Sequence, residues 1–147
     1  MSIYLNENLK YILSIRSNKI LIMIEISLNE DQKKDFQKNG FLIIESFLHI
    51  AHIDQLYERV HNLFTGKFET GIEPDEWNWK FESGPKDVTR QICNAWKSDN
   101  SIKEIVCNEL LGKACAELMG WSGSRLLQDN VLWKPPGGKT LAYHQDA

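Results

Sequence analysis

The sequence has 147 residues, of which 42% are hydrophobic and 25% are charged, and its formal net charge is −3. This length corresponds to one domain with enough chain to bury a hydrophobic core. The small negative charge argues against a nucleic-acid partner, because a phosphate-binding surface needs an excess of lysine and arginine. The longest apolar run, which ends at Glu25, is far shorter than the roughly 20 residues of a membrane helix. No membrane partner is therefore expected.

The cysteines point to a reducing compartment. Cys93, Cys107 and Cys115 match neither the spacing of a zinc site nor a disulfide framework, so they predict free thiols. No signal peptide is recognisable at the N-terminus. The sequence therefore predicts a soluble, intracellular and cytoplasmic protein, with a peroxisomal location left open.

The first elements in chain order differ in clarity. Residues 1–26 have no clear hydrophobic period and are interpreted as a poorly defined N-terminal extension, either a short helix followed by a strand or a loosely packed tail. A helix is predicted at residues 29–38, because Asn29 suits an N-cap and Gln32 completes a capping box. Gly40 suits the left-handed residue that ends a helix. The apolar residues 41–44 then predict a buried strand.

Two longer helices are predicted downstream, at residues 50–64 and 101–118, because apolar residues recur there at helical spacing. Gly120 marks the end of the second helix. The segment between them, residues 65–87, is rich in glycine, proline and charge and contains three aromatic residues. It predicts either a functional lid or an irregular segment that is pinned by its aromatic side chains. Three histidines are expected at the surface, because no further residue that could complete a metal site lies near them in the sequence: His49, His52 and His61.

The pattern changes to alternation in residues 125–134, which predict a strand. One face carries Leu126, Gln128, Asn130, Leu132 and Lys134. This polar face fits the interior of a small barrel that holds a polar ligand, and it also fits a solvent-exposed face. Residues 135–138 predict a turn, and a further short strand is expected from about residue 140. The letters GGKT in this turn lack the first glycine of a phosphate-binding loop.

A candidate metal site follows in the letters YHQDA. On an extended strand His144 and Asp146 point to the same side. An imidazole and a carboxylate on one side suit a divalent transition metal. The pair alone is a weak signal, but the polar face on the preceding strand strengthens it.

Two blocks of the sequence, NEDQKKDFQKNGFLIIESFL and RLLQDNVLWKPPGGKTLAYHQD, resemble the phytanoyl-CoA dioxygenase family. The resemblance extends over residues 27–147, and the second block is the more specific of the two. It implies an α+β, mostly β fold: a double-stranded β-helix (a cupin-like jelly roll) with helices packed outside. It also implies an iron(II)- and 2-oxoglutarate-dependent dioxygenase that hydroxylates a small molecule, such as an acyl-CoA or another metabolite, with dioxygen as co-substrate and ascorbate as reductant.

The resemblance also implies roles for individual residues. His144 and Asp146 correspond to the first two iron ligands. Four positions correspond to contacts of the 2-oxoglutarate: Lys134, Asn130, Gln145 and, in a looser alignment, Arg90. Gln128 corresponds to a position that faces the substrate.

The family pattern continues with a distal histidine and a 2-oxoglutarate-binding arginine, which residues 1–147 do not supply. The chain is therefore expected to be the N-terminal part of such a domain, without oxygenase activity of its own. The alternative is a non-catalytic relative, either a binding or interaction protein or an inactive fragment. The sequence indicates neither the substrate nor the oligomeric state.

Overall fold

The structure is a computed structural model of the chain. It describes residues 26–45, 47–48 and 52–139, together with the backbone alone of residues 12–16, 19–23, 50 and 51. The elements, in chain order, are β1 (Ile12–Arg16), β2 (Lys19–Met23), α1 (Glu30–Asn39), α2 (Ile50–Phe64), β3 (Glu76–Trp77), β4 (Arg90–Cys93), a 3₁₀ turn (Ala95–Lys97), α3 (Asn100–Val106), α4 (Glu109–Met119) and β5 (Asn130–Trp133). The described part of the chain contains no helix that is long and apolar enough to cross a membrane.

The chain divides into two compact units. The first consists of residues 1–54 and 107–126, and the second of residues 55–106 and 127–147. In the first unit the backbone of β1 and β2 forms an antiparallel pair, in which Ile12 lies opposite Met23 and Arg16 opposite Lys19. The sequence had suggested a helix and a strand, or a tail, for this segment.

Helix α1 begins and ends as predicted. The Asn29 side chain accepts a hydrogen bond from the Gln32 amide at 2.8 Å, and the Gln32 side chain accepts one from the Asn29 amide at 3.0 Å. Gly40 ends the helix in the left-handed conformation, with a φ of 77°. On the helix surface the Lys33 ammonium pairs with Glu30 at 2.9 Å and with Glu117 of α4 at 2.5 Å. These contacts fix both ends of a helix that buries none of its own side chains completely.

The prediction of a strand at residues 41–44 was wrong. No strand in the described part of the chain pairs with this segment, although it keeps the alternation that suggested one. Leu42 and Ile44 are buried with Leu118 in a small core, whereas Phe41 and Ile43 are half exposed. Burial on one side produced the alternating pattern, but a strand also needs a partner for its backbone hydrogen bonds.

The prediction of one helix at residues 101–118 was also wrong. The helix is interrupted at Asn108, whose side-chain oxygen accepts hydrogen bonds from the amides of Leu110 (2.9 Å) and Leu111 (3.2 Å). An asparagine that caps the next helix in this way competes with continuation of the preceding one. Gly120 ends α4 as predicted, with a φ of 67°.

Two of the three histidines predicted at the surface, His52 and His61, lie among the described residues. His61 is exposed, as predicted, and its ring contacts Phe81 edge-on at 5.7 Å. His52 is buried at 7% exposure, which contradicts the prediction. It has an interaction partner within the fold, as a buried imidazole requires. His49 lies outside the described residues.

The second unit contains a three-stranded antiparallel sheet in the order β3–β4–β5. Its register places Trp77 and Val131 on either side of Ile92, and Arg90 opposite Trp133. A core of aromatic and aliphatic side chains packs on one face of the sheet: Leu63, Phe64, Trp79, Ile92, Ala95 and Ile102. The Phe64 ring of α2 meets the rings of Trp79 and Trp133 edge-on at 6.0 and 5.7 Å, so this helix covers the sheet from that side.

The strand predicted at residues 125–134 is shorter in the structure, where β5 spans only Asn130–Trp133. The reason lies in its partner. β4 ends at Cys93 because Asn94 takes a left-handed conformation, with a φ of 57°, and the chain leaves the sheet there. Among the described residues, no strand is therefore available to pair with the segment before Asn130. The structure is an α+β arrangement, and the complete jelly roll remains a prediction.

Candidate functional site

The β4–β5 ladder has two chemically different faces. The core face carries Arg90 and Ile92 of β4 with Val131 and Trp133 of β5, and these side chains pack against the core. The opposite face carries Gln91, Asn130 and Leu132 of the two strands, Gln128 just before β5, and Cys93, which is buried. Its four exposed residues are here called the amide face: Gln91, Gln128, Asn130 and Leu132. The alternation of side chains along both strands separates the two faces.

Three carboxamides meet on the amide face. Gln91 Nε2 donates a hydrogen bond to Asn130 Oδ1 at 2.8 Å, and Gln128 Nε2 donates to the same oxygen at 3.4 Å. The structure thus brings together Asn130, a predicted contact of the 2-oxoglutarate, and Gln128, a predicted substrate contact. Gln91 was not among the predicted site residues. The sequence signal for Gln91 was its position next to Arg90. Neighbouring residues of a strand point to opposite faces, so Gln91 had to lie on the face opposite to Arg90.

Lys134 follows β5 directly and is exposed. No hydrogen bond or ion pair joins its ammonium to another described residue. It is therefore a positive charge, close in sequence to the amide face, that is available to an anionic ligand. Leu132 lies between Asn130 and Lys134 in sequence and is 57% exposed, so the surface is not uniformly polar.

Arg90 lies on the core face and does not meet Asn130. Its guanidinium carbon is 3.8 Å from the ring centroid of Trp79 and 4.5 Å from that of Trp133, so the cation is held between two indoles. The Trp79 indole is itself fixed, because its Nε1 donates to the Pro85 carbonyl at 2.8 Å. Arg90 Nε is buried, and no described residue accepts a hydrogen bond from it. The predicted contacts of the 2-oxoglutarate thus divide between the two faces.

A second polar cluster holds the start of β5 to the turn after β4. The Asn94 amide donates to the Asp129 carbonyl at 2.8 Å, and the Asp129 amide donates to Asn94 Oδ1 at 3.3 Å. Asp129 Oδ1 accepts a hydrogen bond from the Trp96 amide at 3.1 Å. No described residue donates to the buried Oδ2 of the same carboxyl. Burial raises the pKa of Asp129, and the amides of Trp96 and Ala95 offset this only in part.

The same cluster continues outward through Asp75. Its carboxylate accepts hydrogen bonds from Lys97 Nζ at 2.7 Å and from Asn94 Nδ2 at 2.6 Å. The Lys97 ammonium and then the Asn94 amide hold the pKa of Asp75 below its ordinary value. Burial raises the pKa of the neighbouring Cys93 thiol, so this cysteine is not an activated nucleophile.

The segment at residues 65–87 is anchored by its aromatic residues, which agrees with the second of its two interpretations. Trp79 lies in the core, and the Trp77 ring contacts Phe68 edge-on at 5.2 Å. At its end, Asp87 pairs with Lys139, whose Nζ lies 3.2 Å from Oδ2 and whose amide donates to the Asp87 carbonyl at 3.0 Å. The turn that leads towards the predicted iron ligands is therefore tied to this segment.

The predicted iron ligands His144 and Asp146, together with Gln145 and the strand expected from about residue 140, lie outside the described residues. Within the described ranges, no three side chains of histidine, cysteine, aspartate or glutamate are grouped so that they could hold a metal.

Comparison with known proteins identifies the family. The family model for phytanoyl-CoA dioxygenase matches residues 36–147. The chain is also 30% identical over 121 residues to a 2-aminoethylphosphonate dioxygenase from the uncultured bacterium HF130_AEPn_1, and the alignment covers 80% of this chain. It covers 44% of the relative, so the chain spans less than half of that protein's length. No solved structure matches the chain significantly. The chain belongs to the phytanoyl-CoA dioxygenase family, which confirms the resemblance seen in the sequence.

Proposed function

We propose that the chain forms part of an iron(II)- and 2-oxoglutarate-dependent dioxygenase that hydroxylates a small-molecule substrate. The observation that carries this proposal is the amide face. Gln128 and Asn130, which the family resemblance assigned to substrate and co-substrate, share a hydrogen-bonded cluster on one exposed surface. Family membership and the relative that is a dioxygenase support the same reaction class.

The iron ligands proposed are His144 and Asp146, by family resemblance. A neutral imidazole and a carboxylate suit iron(II). The bound iron, with 2-oxoglutarate as co-substrate and ascorbate as reductant, would supply the chemistry that puts an oxygen atom of dioxygen into a substrate C–H bond. The chain's own residues would orient these partners and exclude water.

The donors near β5 fit an anionic co-substrate. The ammonium of Lys134 and the side-chain N–H groups of Asn130 are of the kind that bind carboxylate oxygens, and such charge-assisted bonds are shorter and stronger than neutral ones. We propose that these two residues contact the 2-oxoglutarate, and that Gln145 does so from within the metal motif. Arg90 is proposed as the alternative contact, because it lies on the core face and would not reach a ligand that binds Asn130 on the other side of the ladder.

For the substrate we propose a small metabolite that touches Gln128. The 2-aminoethylphosphonate of the relative and an acyl-CoA are the two candidates. Both carry phosphorus oxyanions, so the donors of an amide surface would serve either of them. We propose a β-helix fold for the complete domain, with the amide face towards its interior.

The experiment is co-substrate binding without oxygen, measured on a protein that contains residues 1–147 together with the distal histidine and arginine of the family pattern. The iron(II)-loaded protein should gain the visible charge-transfer absorption that a chelated 2-oxo acid gives with iron(II), and His144→Ala and Asp146→Ala should abolish it. Lys134→Met should weaken 2-oxoglutarate binding about 10-fold or more, because it removes a charge-assisted contact. The control is Lys113→Met, which removes an exposed lysine of α4 in the other unit.

Two outcomes would contradict the proposal. Absorption that survives in both ligand variants would mean that iron is held elsewhere. No absorption in the wild type would favour the non-catalytic alternative.

A further inference from the structure

The hydrogen bonds of the amide face have a direction. A carboxamide oxygen has two lone pairs, and Asn130 Oδ1 accepts one bond from Gln91 and one from Gln128. No described residue accepts a hydrogen bond from the other end of this carboxamide, Nδ2. With its oxygen occupied, Asn130 offers only donors to a ligand.

We propose that Gln91 is a positioning residue, which turns the Asn130 carboxamide so that Nδ2 donates to a carboxylate oxygen of the 2-oxoglutarate. This inference rests on the proposed function, because it concerns the same co-substrate. Gln91 acts through Asn130 and does not contact the ligand itself. Neither the family resemblance nor the sequence pattern assigned it a role.

Gln91, rather than Gln128, controls the orientation. Its bond to Asn130 Oδ1 is 2.8 Å long, against 3.4 Å for Gln128, and a bond of 3.4 Å is weak. Gln91 also belongs to β4, the central strand, which is paired with β3 on one side and with β5 on the other. Its register partner is Leu132, so Asn130 is its diagonal neighbour, a distance that a long side chain can span.

The orientation matters because the ligand is an anion. If the carboxamide turned over, its oxygen would face the carboxylate and repel it, and a favourable contact would become an unfavourable one. An exposed asparagine without a partner samples both orientations. Gln91 removes this freedom before the ligand arrives, which lowers the cost of binding.

The test is a double-mutant cycle on 2-oxoglutarate affinity, measured by calorimetry on the same protein as above, with the distal histidine and arginine present, loaded with Mn(II), a redox-inert substitute for iron(II). Gln91→Met keeps the length of the side chain and removes its donor. Asn130→Ala removes the group on which Gln91 acts. Because Gln91 is exposed, its replacement should leave the thermal unfolding midpoint within a few degrees of wild type.

We expect Gln91→Met alone to weaken binding about 2-fold, because a carboxamide that samples both orientations presents Nδ2 to the ligand about half of the time. In the Asn130→Ala background the same change should leave the affinity unchanged within the error of replicate titrations, because the group that Gln91 orients is gone. Gln91→Lys, which retains a donor, should restore the wild-type affinity. Gln91→Lys in the Asn130→Ala background measures the effect of the added positive charge alone.

The outcomes separate this inference from the proposed function. If the wild type binds 2-oxoglutarate but the effects of Gln91→Met and Asn130→Ala are additive, Gln91 does not act through Asn130 and the inference is overturned alone. If Gln91→Met leaves affinity unchanged in both backgrounds, the inference is likewise overturned. If the wild type does not bind 2-oxoglutarate, the proposed function falls and the inference falls with it.

Discussion

The core face and the amide face lie on opposite sides of the same two strands, β4 and β5, yet they are held in place by different forces. On the core face, Ile92 is fully buried and Trp133 packs against Phe64, so the hydrophobic effect and close packing fix the side chains. On the amide face, Asn130 is exposed and its orientation is fixed by hydrogen bonds. Changes on the first face should therefore reduce stability, and changes on the second should alter binding while leaving the fold intact.

The largest effect is expected from Trp79→Ala, which removes a core indole that contacts Phe64 and Arg90. Replacement of a buried aromatic residue costs about 3–5 kcal/mol, because it leaves a cavity as well as losing buried area. Urea unfolding of the wild type and of the Trp79→Ala variant measures the difference in unfolding free energy. The matched change on the amide face, Leu132→Ala, should cost less than about 0.5 kcal/mol. Equal losses in the two variants would contradict the division between the faces.

A smaller loss is expected from Gly84→Ala. A β-carbon at this position would lie 2.3 Å from Trp79 Nε1, so the indole or the chain must move. Overpacking of this kind costs roughly 1–3 kcal/mol. Gly123→Ala is the control, since a β-carbon there meets nothing within 4 Å. The difference between the two unfolding free energies gives the result, and a Gly84→Ala protein as stable as the control would show that the loop yields freely.

Arg90→Met sharpens the comparison, because Arg90 is a predicted contact of the 2-oxoglutarate and yet lies on the core face. The change keeps most of the apolar stem but removes the cation from between two indoles, at a cost of about 0.5–2 kcal/mol of stability. Denaturant unfolding and calorimetry with 2-oxoglutarate should be run on the same preparation. A loss of affinity without a loss of stability would assign Arg90 to the ligand rather than to the core.

The smallest effect concerns Asp129, at the edge of both faces. Burial raises its pKa, so folding disfavours the ionised form. Its carboxyl therefore makes the protein less stable as the pH rises from the ordinary value near 3.9 through the raised folded value, and the loss is constant above that. Asp129→Asn, which keeps an oxygen for the Trp96 amide, should remove this dependence and gain up to about 1 kcal/mol at pH 7.

The measurement is the difference in unfolding free energy between wild type and Asp129→Asn from pH 3 to pH 7. It should move in favour of the variant as the pH rises. A difference that moves the other way would mean that the carboxylate is stabilised by a partner when it is ionised.

Local signals in the sequence were enough to predict several elements. The capping box of α1 is written in Asn29 and Gln32, and both groups act within one helical turn, so no tertiary information was needed. The left-handed ends at Gly40 and Gly120 depend on the residue itself for the same reason. The extent of α2 was also correct.

The failures arose where a second segment decides the outcome. Residues 41–44 have the composition of a strand, but none of the strands that the structure describes pairs with them. β5 is short because its partner strand β4 ends just before Asn94, which lies 36 residues before the start of β5 and takes a left-handed conformation. In the candidate site, the family motif predicted Asn130 and Gln128 but not Gln91, whose role depends on the register between two strands that are distant in sequence. Register is a property of the pair and cannot be read from either strand alone.

The distances in sequence between the three strands also set the order in which they can pair during synthesis. β3 and β4 are separated by 12 residues and can pair soon after they leave the ribosome, whereas β5 follows β4 only after a connection of 36 residues. At about 5–20 residues per second, that interval lasts roughly 2–7 seconds. Until β5 arrives, one edge of β4 has no partner, and Gln91 has no asparagine to orient. The carboxamide cluster is therefore among the last features of the second unit to form, and a nascent chain released before residue 130 would present an unprotected strand edge to its neighbours.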